Sequence, residues 1–283
     1  MNKYYQKMTD YFNSKAGEYD DVDDQAYWVL SDKYFKEILK KEIPKIIKNK
    51  KSLHILDAGA GTGRWILFFK DLFEKKYALS GTLIDISSKM IAVAKSKVKK
   101  LSLDKIFECK LGDIENLDSL TDDSYDLSLS FYNVLSFVEK PERAVKEISK
   151  KLKKGGIHIS IVANKYHAYY FSILTNRLSE IQNIRKKSKI RFNDAMPSIH
   201  CFTPKELEIL YKKNGFKKVK IIGGPNFIYP GMEETYVHGS TKNLQTKLIT
   251  EKTFKKILDI ELQNYNQEDI KGRGNVLMAI AIK

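Results

Sequence analysis

The chain predicts an α/β fold, a mostly parallel sheet with helices on both faces, and three observations carry that prediction. Short apolar runs recur at residues 53–57, 79–85, 106–111, 124–135 and 157–162, each bounded by an acid or a turn residue, as buried strands are. Between them, apolar residues recur at helical spacing: Ile66, Phe69 and Phe73, then Met90, Ile91, Ala94 and Val98, then Ala144, Val145, Ile148 and Leu152. Gly59, Gly61 and Gly63 follow the first strand directly and lead into the first of these helices. Strand, glycine turn and helix in that order build a ligand cradle at the carboxyl end of a strand.

The remaining elements follow in order. Residues 1–50 carry two helical stripes, Tyr5, Met8 and Phe12, then Leu30, Tyr34, Phe35, Ile38 and Leu39, joined by an acidic, aromatic link around Tyr19 and Tyr27-Trp28. Ser87-Ser88 cap one helix and Pro141 starts another, while Thr203-Pro204 reads as an N-cap followed by a first helical position. Lys153-Lys154-Gly155-Gly156 ends a helix before the fifth strand. Residues 216–222 read as a sixth strand, about 253–263 as a helix, and 275–282 as a closing antiparallel strand paired with the sixth.

Composition bounds the function. The 283 residues hold 42% hydrophobic side chains and a mean hydropathy of −0.40, an ordinary globular balance. No run approaches the roughly 18 apolar residues of a membrane span. Residues 1–12 lack the apolar core of a signal peptide. Cys109 and Cys201 form neither a disulfide framework nor a metal-ligand spacing. The chain is therefore expected in the cytoplasm, with no membrane partner and no metal. The net charge of +15 suits a polyanion, yet only six of the 50 basic residues are arginine. Arginine makes the bidentate phosphate contacts, so solvated lysine faces are the stronger reading than nucleic-acid binding.

Glycine spacing narrows the ligand. A dinucleotide fingerprint is G-x-G-x-x-G; this chain has Asp57-Ala58-Gly59-Ala60-Gly61-Thr62-Gly63. Asp85 ends the second strand 22 residues beyond Gly63, the distance at which a βαβ unit brings a carboxylate to ribose hydroxyls. Gly112-Asp113-Ile114 follows the third strand. Together with the proline-started helix and Leu152-Lys153-Lys154-Gly155-Gly156, these landmarks resemble the class I S-adenosylmethionine (SAM) methyltransferases over about residues 53–163.

The resemblance implies a Rossmann-like seven-stranded sheet, SAM as donor and S-adenosylhomocysteine as product. Asp57, Gly59, Ala60, Gly61 and Gly63 would cradle the methionine part, Asp85 and Ile86 the ribose, and Gly112, Asp113 and Ile114 the adenine. Met90, Phe131 and Tyr19 complete the expected donor shell. A helical cap over residues 1–50 precedes the SAM-binding domain of 51–283, which carries a lid at about 164–200 after strand five and an insertion at about 224–266. Tyr27, Trp28, Asn133, Tyr166, His167, Tyr170 and Glu233 are the candidate acceptor contacts. His200 and Tyr132 are the candidate catalytic groups, with His167 and His238 behind them.

Phe131-Tyr132-Asn133-Val134-Leu135 lacks the prolines of the N-P-P-Y-type motif that nucleic-acid and glutamine N-methyltransferases carry there. The expected acceptor is a nitrogen or oxygen of a small metabolite or natural product, handled by a monomer or homodimer. Two alternatives stand beside it, an RNA or protein acceptor held by the basic surface, and a SAM-binding module without catalysis.

Overall fold

A computed structural model of the protein describes residues 3–24, 26–48, 50–228 and 251–283. Its strands are β1 (Ser52–Ala58), β2 (Ala78–Asp85), β3 (Phe107–Leu111), β4 (Tyr125–Ser130), β5 (Leu152–Ala163), β6 (Lys189–Ile190), β7 (Ile199–His200), β8 (Lys218–Gly224) and β9 (Val276–Ile282). Seven of them form one sheet in the order β3-β2-β1-β4-β5-β9-β8, while β6 and β7 pair with each other. Neighbours from β3 to β5 are parallel. The closing strand β9 lies antiparallel between β5 and β8, so it pairs with the fifth strand as well as the sixth.

Helices α1 (Lys3–Lys15), α2 (Ala26–Ile47), α3 (Arg64–Phe73), α4 (Ser88–Lys100), α5 (Val134–Phe137), α6 (Pro141–Lys151), α7 (Lys165–Leu174), α8 (Leu178–Lys187), α9 (Pro204–Lys213) and α10 (Glu251–Asn264) surround the sheet. Strand alternation assigns the two faces. Val276, Met278 and Ile280 of β9 join the core formed with α2, α3, α4 and α10, whereas Leu277, Ala279 and Ala281 join that formed with α6 and α9. Central β4 is buried at all six positions, as a strand covered on both faces must be. Among the described residues no helix is long and apolar enough to cross a membrane.

Two boundaries differ from expectation. β5 begins at Leu152, directly after α6, because Tyr125 of β4 already pairs there; Gly155 then turns with φ +75° inside the strand. α3 starts at Arg64, directly behind Gly63. Residues 1–50 divide in two. The α2 side chains Tyr34, Phe35, Ile38 and Leu39 are fully buried, so that helix builds the core. α1 and a 3-10 turn (Tyr19–Asp24) lie over the carboxyl edge of the sheet, where Tyr4 Oη donates to Phe137 O at 2.8 Å and Ser87 Oγ bonds Asn13 Oδ1 at 2.7 Å.

Residues 164–200 form α7, α8 and the β6–β7 hairpin around their own small core of Ala168, Ile184, Ile190, Ile199 and Cys201. Tyr11 of α1 and Phe137 pack against it.

Candidate active site

The chain folds its acids to one edge because each sits where a parallel strand ends. Asp57 closes β1, Asp85 closes β2, and Asp113 follows β3. Between the first two, Gly59, Gly61 and Gly63 take φ of +87°, +54° and +77°, a region that side chains enter at a cost. A Cβ on Gly59 would lie 2.4 Å from Val134 Cγ1, so the turn has no room for one. The loop is pinned to β2: Gly59 N and Ala60 N donate to Ile84 O at 2.8 and 3.0 Å, and Gly61 N donates to Asp85 Oδ2 at 2.8 Å. Ser87 N holds the other Asp85 oxygen at 2.8 Å.

This edge opens into a cavity of about 610 Å³. Tyr19, Asp57, Gly59, Ala60, Gly61, Asp85, Ile86, Met90, Gly112, Asp113, Ile114 and Phe131 line it together with Trp28, Tyr132 and Asn133. Gly63 does not line it. It is the residue ahead of α3, and its missing Cβ lets Leu83 and Ala94 pack close.

The electrostatics mark where a cation belongs. Asp57 is buried, and its Oδ2 has no hydrogen-bond partner among the described residues. Burial, then the neighbouring Asp85 charge, pushes the Asp57 carboxyl up to about 8. Burial also raises Asp85, against the Ser87, Gly61 and Ile86 N–H groups that favour its charge. Asp113 is raised by burial as well, and its Oδ1 accepts from Glu115 N at 2.8 Å. Two desolvated carboxyls beside an open cradle are poorly satisfied alone and well satisfied by a bound cation.

The far wall is aromatic. Trp65 stacks on Phe131 with centroids 4.2 Å apart and planes 8° apart, and Trp28 meets Tyr132 edge-on at 6.0 Å. Tyr132 and Asn133 both hold positive φ, 52° and 68°, a pair of strained positions at the end of β4. The Tyr132 hydroxyl, Asn133 Oδ1 and Trp65 Nε1 are buried without hydrogen-bond partners among the described residues. All three residues line the cavity.

Other expected contacts lie elsewhere. His200 sits in the β6–β7 hairpin with Nε2 3.1 Å from Glu139 O, and burial, then Lys189, pushes it down to about 4. It does not line the cavity, so the hairpin turns the proposed base away from it. His167 is buried in the α7 core and pushed down to about 4 by burial. Tyr166 and Tyr170 face solvent. Tyr27 is fully buried, its hydroxyl accepting from Asn275 Nδ2 at 2.9 Å. Glu233 and His238 lie outside the described residues.

Beyond the named candidates, Tyr5, Met8, Tyr11 and Phe12 of α1, within the expected cap, and Arg64, Trp65, Phe137, Val138 and Met196 also line the site. The stripe of Tyr5, Met8 and Phe12 was visible as a signal, but core packing writes the same stripe. Tyr5 faces the carboxyls of Asp113 and Glu115, which with burial raise its phenol. Arg64 pairs with Asp32 at 2.5 Å at the same rim.

A family model described as a methyltransferase domain matches residues 56–160, from the end of β1 to within β5. An uncharacterized protein of Methanocaldococcus jannaschii is 27% identical over 226 residues, 76% of this chain and 78% of that one. A phosphatidylethanolamine N-methyltransferase of Cereibacter sphaeroides is 32% identical over 108 residues, 38% of this chain and 49% of that one. A solved SAM-dependent methyltransferase of Thermotoga maritima, described as a possible histamine N-methyltransferase, superposes with a TM-score of 0.56 at 19% identity, over 98% of this chain and 99% of that one. Residues 56–160 thus carry a methyltransferase domain, and the sheet order and glycine cradle give it the class I fold. Its methyl donor is S-adenosylmethionine, whose cationic groups suit Asp57 Oδ2, which has no partner among the described residues, in a cavity of about 610 Å³.

Proposed function

We propose that the enzyme methylates a nitrogen or oxygen of a small molecule whose flat or apolar part lies among Trp28, Trp65, Phe131 and Tyr132. One observation carries this reading: three buried polar atoms, Tyr132 Oη, Asn133 Oδ1 and Trp65 Nε1, have no partner among the described residues in an otherwise aromatic wall. Leaving such atoms unpaired costs about 1–3 kcal/mol each, so a ligand that bonds them is favoured. They offer donors and an acceptor together, which suits a polar nucleophile on an apolar body. Two of the proteins above, one named a phosphatidylethanolamine N-methyltransferase and one a possible histamine N-methyltransferase, favour nitrogen over oxygen.

SAM would supply the methyl group of a sulfonium, to which the acceptor lone pair bonds in line as the C–S bond breaks and S-adenosylhomocysteine leaves. The protein's part is positioning. Asp57 would face the donor's ammonium, Asp85 would accept from the ribose hydroxyls, and Asp113 would accept from the adenine amine. The aromatic wall excludes water and aims the acceptor, the contribution such a displacement needs most. No strong base is required of the cavity if the acceptor amine binds neutral. The reaction is assigned to the cytoplasm and to small-molecule chemistry on the same reading.

Transfer of labelled methyl to a panel of primary amines and phenols tests this. Tyr132→Phe and Asn133→Ala are expected to lower kcat/KM for the acceptor roughly 10–100-fold while SAM affinity stays within about threefold. Equal loss of SAM affinity would move these residues to the donor site.

A second reading has one observation in its favour. Lys140, Arg143, Lys146, Lys150, Lys213 and Lys283 line a groove of about 800 Å³ with one acid, Glu142. RNA bound there would show a steep salt dependence; flat, weak binding would leave the small-molecule acceptor alone.

A further inference from the structure

We propose that the outer face of α7 and the start of α8 form a docking surface for an anionic lipid bilayer. Tyr166, Tyr170, Ile173 and Leu174 stand exposed at i, i+4, i+7 and i+8 of α7, and Leu178 at the start of α8 extends the arc. Ile173 is 63% exposed and Leu178 57%. The spacing puts the four α7 side chains on one helix face. The opposite face, with His167, Ala168 and Ser172, is buried, so α7 is firmly seated and its apolar face is still presented to solvent. Other exposed large apolar residues among those described, such as Leu101 and Ile209, stand singly, which is ordinary for a surface.

Charge decides the occupant. Residues 164–200 carry seven basic side chains and two acidic ones. Both acids are already committed, Asp194 to Arg177 at 2.6 Å and Glu180 to Arg191 at 3.5 Å. Arg185, Lys186 and Lys187, exposed at the end of α8, are therefore a positive rim beside the apolar arc. Apolar side chains with tyrosines and a cationic border match the boundary of an anionic membrane, where each basic residue adds about 1 kcal/mol. A second copy of this chain would bring like charges together.

Position gives the surface a use. β5 runs parallel to β4, and α7 begins just past its carboxyl end, so the arc stands on the edge where the cavity opens. Met196 of the same excursion lines the cavity. Docking thus turns the acceptor side of the cavity toward lipid, and an amphiphilic acceptor follows. That last step rests on the proposed methyltransferase site, whereas the docking does not. The expectation of no membrane partner rested on the lack of a spanning run, and a surface that lies on lipid needs none.

The test is co-sedimentation of the full chain with vesicles of phosphatidylcholine alone or with added phosphatidylglycerol, at low and high salt. The comparison is a double variant, Ile173→Asp with Leu174→Asp. The expected result is binding to the anionic vesicles, weakened by salt and by roughly tenfold or more in the variant, with thermal midpoint and SAM affinity unchanged. Binding to neither vesicle, or binding indifferent to the substitutions, would overturn the proposal. So would a concentration-dependent dimer dissolved by the substitutions without vesicle binding, which would make this face a contact between copies. SAM titration of the same sample separates the two ideas: SAM bound without vesicle binding removes only the docking surface, and SAM not bound removes the donor site.

Discussion

Asp57 carries the sharpest residue-scale consequence. With its carboxyl pushed up to about 8 by burial and the Asp85 charge, the free protein holds Asp57 neutral at pH 7. A donor ammonium beside it favours the charged form, so binding SAM at pH 7 releases a proton. Affinity therefore rises with pH up to about 8 and levels off above it. Calorimetry in buffers of different ionisation enthalpy is expected to detect that proton in wild type and to miss it in Asp57→Asn. At Gly59, a methyl group meets Val134 and the left-handed backbone together. Gly59→Ala is expected to cost roughly 1–3 kcal/mol of stability and to abolish donor binding. Adding Val134→Ala relieves the clash but not the backbone, so thermal melts are expected to show partial recovery without restored binding.

At the scale of elements, α1 is the part that completes the cavity. Tyr5, Met8, Tyr11 and Phe12 line it, and beside the packing of Met8, Tyr11 and Phe12 a few polar contacts hold the helix down: Tyr4 to the Phe137 and Val138 carbonyls, Asn13 to Ser87 and Lys89. Such contacts are worth about 1 kcal/mol each, so α1 opens more easily than the core beneath it. Tyr4→Phe is expected to speed SAM dissociation roughly fivefold in stopped-flow measurements, with the thermal midpoint little changed. An unchanged dissociation rate would show that α1 does not gate the donor.

The elements also show where sequence reading succeeds. Strands β1, β2, β4 and β5 were legible because strands buried on both faces read as apolar runs, and the acids at or just past the ends of β1, β2 and β3 announced the cavity edge. The direction of α7 was not legible. Rings crowded into residues 166–171 cannot all be buried on one helix face, and in the fold Tyr166 and Tyr170 meet solvent instead of the cavity. His200 misled for a related reason, since a two-residue hairpin strand turns its ring toward Glu139 by a register that no local pattern encodes.

For the whole molecule, the sheet order brings Asp57, Asp85 and Asp113 from positions up to 56 residues apart onto one edge. A parallel sheet does this without specific long-range signals, which is why the donor side was readable from one chain. The acceptor side depends on α1, α2 and the strained 132–133 turn, whose packing is set by tertiary contacts alone. The net charge of +15 acts at this scale too, spread over several helices, with α4 alone carrying five lysines and no acid.

Calorimetric titration of the full chain with SAM and S-adenosylhomocysteine, beside Asp85→Ala, tests the donor site most directly. Asp85 holds its own backbone partners here, and a carboxylate bonded to ribose hydroxyls contributes about 1.5–3 kcal/mol. The account predicts roughly micromolar binding to wild type, weakened about 10–100-fold in the variant with stoichiometry unchanged. Equal binding to both proteins would place the donor somewhere other than the cavity at the ends of β1 and β2. No binding to wild type, with residues 1–25 present or removed, would contradict the account outright.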